Sequence, residues 1–236
     1  MDPLYVLVHS PLTGPYVWSL VAERLRHAGH AVVIPDLADR DDSSIPYWGQ
    51  HAASVARALG SASGERPLAF VAHSGAGPLL PAIRAATPYA VAAYVFVDAG
   101  LPHGGRSRLD EIAESAPDLA AELRPHLAAG GRYPEWTDDD LREVVPDRRQ
   151  RQLLVADLRP RGLAFFEETL PDFAEWPDAP CAYLRLSAAY AGSAADAARR
   201  GWPCRAFDAG HFHMLVDPAA TSAALLNLVS QVDQVA

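Results

Sequence analysis

Lysine is missing altogether: the chain of 236 residues carries 20 basic side chains, and every one is an arginine. That absence excludes a Schiff-base lysine, a phosphate-loop lysine and a Ser-x-x-Lys nucleophile, since each needs the amine itself. Cysteine is nearly missing too. With Cys181 and Cys204 alone, neither a Cys-rich zinc site nor a disulfide framework can be built, and two free buried thiols are expected. Positive charge is scarce overall: a net charge of −9 argues against a nucleic-acid partner, which demands a concentrated basic surface. No apolar run approaches the roughly 20 residues of a membrane span, and Met1-Asp2-Pro3 opens no signal peptide, so a cytoplasmic location without membrane contact is expected. What is present is a chain half hydrophobic, long enough to bury one sizeable core.

Short apolar runs alternate with helical stretches, the pattern of a parallel sheet covered by helices. The runs are 4–8, 31–34, 68–71, 91–97, 182–186 and 204–207. They are near-continuously apolar, as strands buried on both faces must be. Helices are expected over 15–28, 48–60, 75–87 and 217–232, the last opened by Asp217 and Pro218 as N-cap and first helical residue. Between residues 102 and 180 no convincing strand occurs. Helical stretches are expected there over 110–115, 117–129, 138–144, 147–158 and 163–169, with Trp136, Phe165, Phe166, Phe173 and Trp176 as apolar bulk. The expected architecture is α/β: a core of residues 1–101 and 181–236 around about six mostly parallel strands. Residues 102–180 form a helical cap over the sheet's C-terminal edge, where open α/β folds bind ligands.

The sharpest motif runs from Leu68 to Gly77, reading LAFVAHSGAG. A buried strand leads into Ser74, flanked by the small residues Ala72 and Ala76, and then into a helix. This matches a nucleophile elbow, a tight strand-to-helix turn that presents a serine Oγ at the top of the sheet. The flanking positions must be small because the backbone crowds there, and the helix N-terminus favours developing negative charge. Pro78 fits a first helical turn, whereas Pro81 is expected to kink the helix.

Two further segments give this chain its resemblance to the α/β-hydrolase family. Tyr5 to Ser10 resembles the family's first strand and its oxyanion loop, and Ala209-Gly210-His211-Phe212 through Asp217-Pro218 resembles its histidine loop. Trp18, the AGHAVVIPDL segment and Val95 to Pro102 are most similar to the plant hydroxynitrile-lyase and methylesterase branch. The resemblance implies that Ser74 is the nucleophile and His211, rather than His213, the general base. No carboxylate stands where the family usually places its acid, since the sequence from Leu184 to Ala191 holds none. Asp98, ending the preceding strand, is the expected acid. Asp196 and an acid-free Ser–His pair stay open. One oxyanion donor is expected at the Gly75 amide. Pro11 lacks an N–H where the second would stand, so Leu12 is expected to supply it, with Ser10 and the Thr13 hydroxyl as alternatives.

The expected activity is that of a serine hydrolase without cofactor or metal, cleaving an ester or thioester of a small, fairly apolar molecule. His73, Trp136, Phe165 and Phe166 are the expected substrate contacts. A lyase using the same Ser74 and His211 and a non-catalytic receptor are the rival readings, and a homodimer stays open. Without lysine, any fixed cation for an anionic substrate group must be an arginine, with Arg106, Arg108, Arg159, Arg161 and Arg185 as candidates.

Overall fold

The computed structural model describes residues 2–60, 64 and 66–233; the remaining residues of the expected core, 234–236 among them, lie outside this set. Six strands form one sheet: β1 (Leu4–Val8), β2 (Val32–Val33), β3 (Leu68–His73), β4 (Val91–Val97), β5 (Cys181–Arg185) and β6 (Cys204–Ala206). All neighbours pair in parallel, in the order β2-β1-β3-β4-β5-β6. The chain therefore leaves β1 toward one edge and returns to its other side as β3. This reversal opens a crevice beyond the C-terminal ends of β1 and β3, where the segments starting at His9 and Ser74 emerge.

Helices cover both faces. In chain order they are α1 (Ser19–His27), α2 (Tyr47–Leu59), α3 (Leu80–Ala85), α4 (Arg108–Ser115), α5 (Pro117–Ala128), α6 (Arg148–Ala156), α7 (Leu163–Glu167), α8 (Ala191–Arg199), α9 (His213–Val216) and α10 (Pro218–Asp233). Strand side chains alternate between two cores. Tyr5, Leu7, Val71 and Val95 pack with Trp18 and Leu25 of the α1 side and Leu225 and Leu228 of α10. Leu4, Val6, Phe70 and Phe96 pack with Val55 of α2, Ile83 of α3 and Ala197 of α8. Asp217 does cap α10, accepting the Ala220 N–H at 2.8 Å.

Four helices, α4 to α7, lie between β4 and β5, with Leu109, Leu123, Leu127, Phe165 and Phe166 as a separate small core. Three expectations fail. Pro81 kinks nothing, because Ser74–Leu79 is a 3-10 turn and α3 begins only at Leu80, leaving Pro81 in its first turn. Residues 138–144 form turns rather than a helix; Val145 N–H reaches Leu141, but Pro146 follows and donates nothing further. Cys181 is buried as expected, while Cys204, on the edge strand, is exposed; both are free. Among the described residues, no helix is long and apolar enough to cross a membrane.

Candidate functional site

The β3 register carries the chain straight from buried His73 into Ser74, whose φ of 57° lies in the left-handed region. A non-glycine residue there costs free energy unless the surroundings enforce it, and such strain gathers at functional turns. The enforcing contact is close. A Cβ on Gly77 would collide with the Gly100 carbonyl oxygen, so the turn after Ser74 sits hard against the loop after β4. One strand over, Asp98 also has positive φ, at 43°. Its carboxylate is fully buried and accepts four hydrogen bonds. The Leu186 and Ser187 amides donate to Oδ1 at 2.8 and 2.9 Å; the Ser187 hydroxyl and His211 Nδ1 donate to Oδ2 at 2.6 and 2.7 Å. Burial alone would raise its pKa, but the hydrogen bonds from His211 and Ser187 prevail and hold it below the ordinary carboxylate value.

His211 stands on the loop between β6 and α9. Its backbone carbonyl accepts a 3.1 Å bond from Nε2 of His73, whose ring centroid is 4.4 Å from that of His211. Burial and the neighbouring His211 keep His73 neutral, well below its ordinary pKa. Its Nδ1 is buried without a partner among the described residues. Asp196, on α8, is paired with Arg199 and Arg200 rather than with His211. His213 packs its ring on Phe207.

Ser74 Oγ is bonded to the hydroxyl of Tyr190, at 3.2 Å, and not to His211 in this geometry. The Tyr190 ring stacks on His211, 7° from parallel at 5.2 Å. Burial pushes the Tyr190 phenol up to about 12, so it stays protonated and able to donate at neutral pH. Tyr190 is the residue sequence reasoning missed. Its signal in the sequence is an aromatic just beyond β5, in the stretch where the family usually places its acid.

Ser74 and Tyr190 open onto a cleft of about 700 Å³, a size typical of small-molecule sites. Ser10, Leu12, Gly75, Leu101, Arg108 and Phe166 are among its walls. The Leu12 amide is not turned to the cleft as a free donor; it donates to Ser10 Oγ at 3.3 Å. That leaves the Ser10 hydroxyl free to donate, its Oγ lying 3.5 Å from where a Cβ on Gly75 would stand. The Thr13 hydroxyl is buried on the Ser10 carbonyl. Of the expected substrate contacts, only Phe166 lines the cleft. His73 is buried behind His211, Trp136 packs on Phe212, and Phe165 lies beneath Arg108. Among the described residues, no group of three His, Cys, Asp or Glu side chains is arranged to hold a metal.

A six-stranded parallel sheet, an elbow serine on its third strand and a histidine before the last helix define an α/β-hydrolase. The profile of the alpha/beta hydrolase family matches residues 5–224, and the chain belongs to that family. None of the curated proteins matches it. Several solved structures share the fold at low identity. An extracellular alpha/beta-hydrolase from a Paenibacillus species, described as structurally and functionally homologous to tobacco salicylic acid binding protein 2, superposes with a TM-score of 0.76 at 19% identity, covering 96% of this chain and 98% of its own. Polyneuridine aldehyde esterase gives 0.71 at 17%, covering 97% and 99%. Tomato methylketone synthase I, solved with 2-tridecanone, gives 0.71 at 15%, covering 98% and 99%.

Proposed function

We propose that the protein is a serine hydrolase of the esterase type, cleaving an ester or thioester of a small molecule through an acyl-enzyme. The observation that carries the reading is the left-handed Ser74 at the elbow, one strand from a buried Asp98 that holds His211 by its Nδ1. With Nδ1–H given to Asp98, Nε2 of His211 keeps the lone pair needed to take a proton. A rotation of Ser74 Oγ from Tyr190 toward His211 starts the reaction; such bonds are often loose before substrate binds. Oγ then attacks the carbonyl carbon while its proton passes to His211. The tetrahedral oxyanion is met by the Gly75 amide, a first-turn N–H of the kind that lacks an intrahelical acceptor, and by the Ser10 hydroxyl, whose Oγ accepts from Leu12. Collapse expels the alcohol or thiol with the proton from His211, and water, activated by the same imidazole, releases the acid. Tyr190 adds a further hydrogen-bond donor beside Oγ. Residues 102–180, which supply Arg108, Ile112 and Phe166 to the cleft wall, act as the cap. The esterase among the fold's neighbours agrees with this reading.

A second reading, proton-transfer chemistry of the lyase kind at the same residues, draws on the absence of a Ser74–His211 bond and on Pro11. A fluorophosphonate probe read by intact mass separates them from failure of both. Wild type should gain one adduct and Ser74→Ala none, with turnover of short p-nitrophenyl esters. No adduct on wild type refutes the nucleophile; an adduct without ester turnover favours the lyase.

A further inference from the structure

Three arginines and three carboxylates line the cleft: Arg106, Arg108, Arg199, Glu111, Glu114 and Asp196. Four of them neutralise one another. Arg106 is bound to Glu114, and Arg199 to Asp196. Arg108 and Glu111 remain. Among the described residues, no carboxylate oxygen comes within 4.0 Å of the Arg108 guanidinium. The guanidinium is nonetheless fixed in place. Nη1 donates to the Gly75 carbonyl at 3.0 Å, and Cζ lies 4.7 Å above the ring of Phe165. One of its five N–H groups is thus spent, and it stands beside the residue that follows the nucleophile. The stacking and the backbone bond hold the planar fork in one orientation, which is what bidentate recognition of a carboxylate requires.

Glu111 gives an independent indication. Burial holds its pKa above the ordinary value, and its Oε1 is buried without a hydrogen-bond partner among the described residues. An orphaned buried oxygen is costly, and a ligand is one way to satisfy it. Its unpartnered oxygen stands beside a guanidinium that has no carboxylate within salt-bridge distance among the described residues. The other candidate arginines are engaged: Arg159 with Asp36, Arg161 with Asp39, and Arg185 with the Ser187 carbonyl.

We infer that the substrate carries a carboxylate as well as the ester, held by Arg108 with Glu111 beside it, a few atoms from the carbonyl that Ser74 attacks. Monoesters of short dicarboxylic acids are the simplest members of this class. The inference rests on the reading of the cleft as the substrate site and names what enters it. A monoanion suits the site better than a phosphate dianion, since one guanidinium is available to meet it. The net charge of −9 acts at long range and does not oppose a single local contact.

The test is a binding measurement on Ser74→Ala, which cannot turn the ligand over. Calorimetric titration with monomethyl glutarate and with dimethyl glutarate compares ligands of similar size that differ in the carboxylate. The monoester should bind at least about 10-fold tighter, as a charge-assisted hydrogen bond allows. Adding Arg108→Gln should erase that preference, and Arg108→Lys should restore part of it, with near-UV circular dichroism checking the fold. Equal binding of the two ligands, no saturable binding of the monoester, or a preference that survives Arg108→Gln overturns the inference. None of these results touches the nucleophile assignment, which the fluorophosphonate adduct reads separately.

Discussion

Replacing Asp98 with asparagine isolates what its charge does. The amide Oδ1 of the new side chain can keep the Leu186 and Ser187 amides, and the Ser187 hydroxyl can turn to accept instead of donate. The left-handed φ of 43° suits asparagine at least as well as aspartate. No buried donor is orphaned, so stability should change by less than about 1 kcal/mol. The histidine is the group that suffers. Facing an NH₂ in place of Oδ2, Nδ1 must accept rather than donate, so the ring proton moves to Nε2 and the lone pair needed to take the Ser74 proton is lost. A tautomer change of this kind lowers kcat by roughly 10⁴-fold in a serine protease, or about 5.5 kcal/mol of transition-state stabilisation. The contrast is Asp98→Ala, which strands two buried amides at about 1–3 kcal/mol each and should lower the melting temperature as well. The assay is kcat on a short p-nitrophenyl ester beside a thermal melt, with ring-nitrogen NMR reporting the tautomer. Should Asp98→Asn keep kcat within tenfold of wild type while its melt is unchanged, the acid is not Asp98 and the Ser74–His211 pair works alone.

Two further outcomes follow from neighbouring groups. Tyr190→Phe keeps the ring on His211 and removes the donor beside Oγ; kcat should fall about 10- to 100-fold with little change in KM, and an unchanged or higher kcat would mean the hydroxyl only parks Ser74 between turnovers. His9 donates from Nδ1 to the Ser10 carbonyl, accepts the Leu37 amide at Nε2, and is held by burial at a pKa of about 4. Because the folded value lies below the unfolded one near 6.5, this contribution is fully present above pH 6.5 and is lost as the pH falls toward 4, roughly 3 kcal/mol in all. His73, also buried and neutral, acts in the same direction, so the urea midpoint should drop between pH 7 and 4.5 and drop less in His9→Gln. A midpoint flat across that range would contradict the burial argument.

The strands were legible because a strand covered on both faces leaves an unbroken apolar run, and β1 and β4 begin and end where those runs do. Helix α8 was not legible. Its sequence AGSAADAAR buries only Ala197, so it shows no apolar stripe. Ser74 and His211 stood out through their neighbours in the chain. The contact between Asp98 and His211 spans 113 positions and could be inferred only through the resemblance. Tyr190 and Arg108 are a different case. Nothing local distinguishes Arg108 from the other arginines; its lack of an acidic partner exists only once every other charge has found its place.

Ser74 holds a φ of 57° at the tip of β3, beside Asp98 at the tip of β4. If the turn had only to join a strand to a helix, glycine would do so with less strain, by about 1 kcal/mol. A hydroxyl-bearing side chain in so unfavourable a conformation is strain of the kind that gathers at functional turns, and it supports reading Ser74 as used for its side chain.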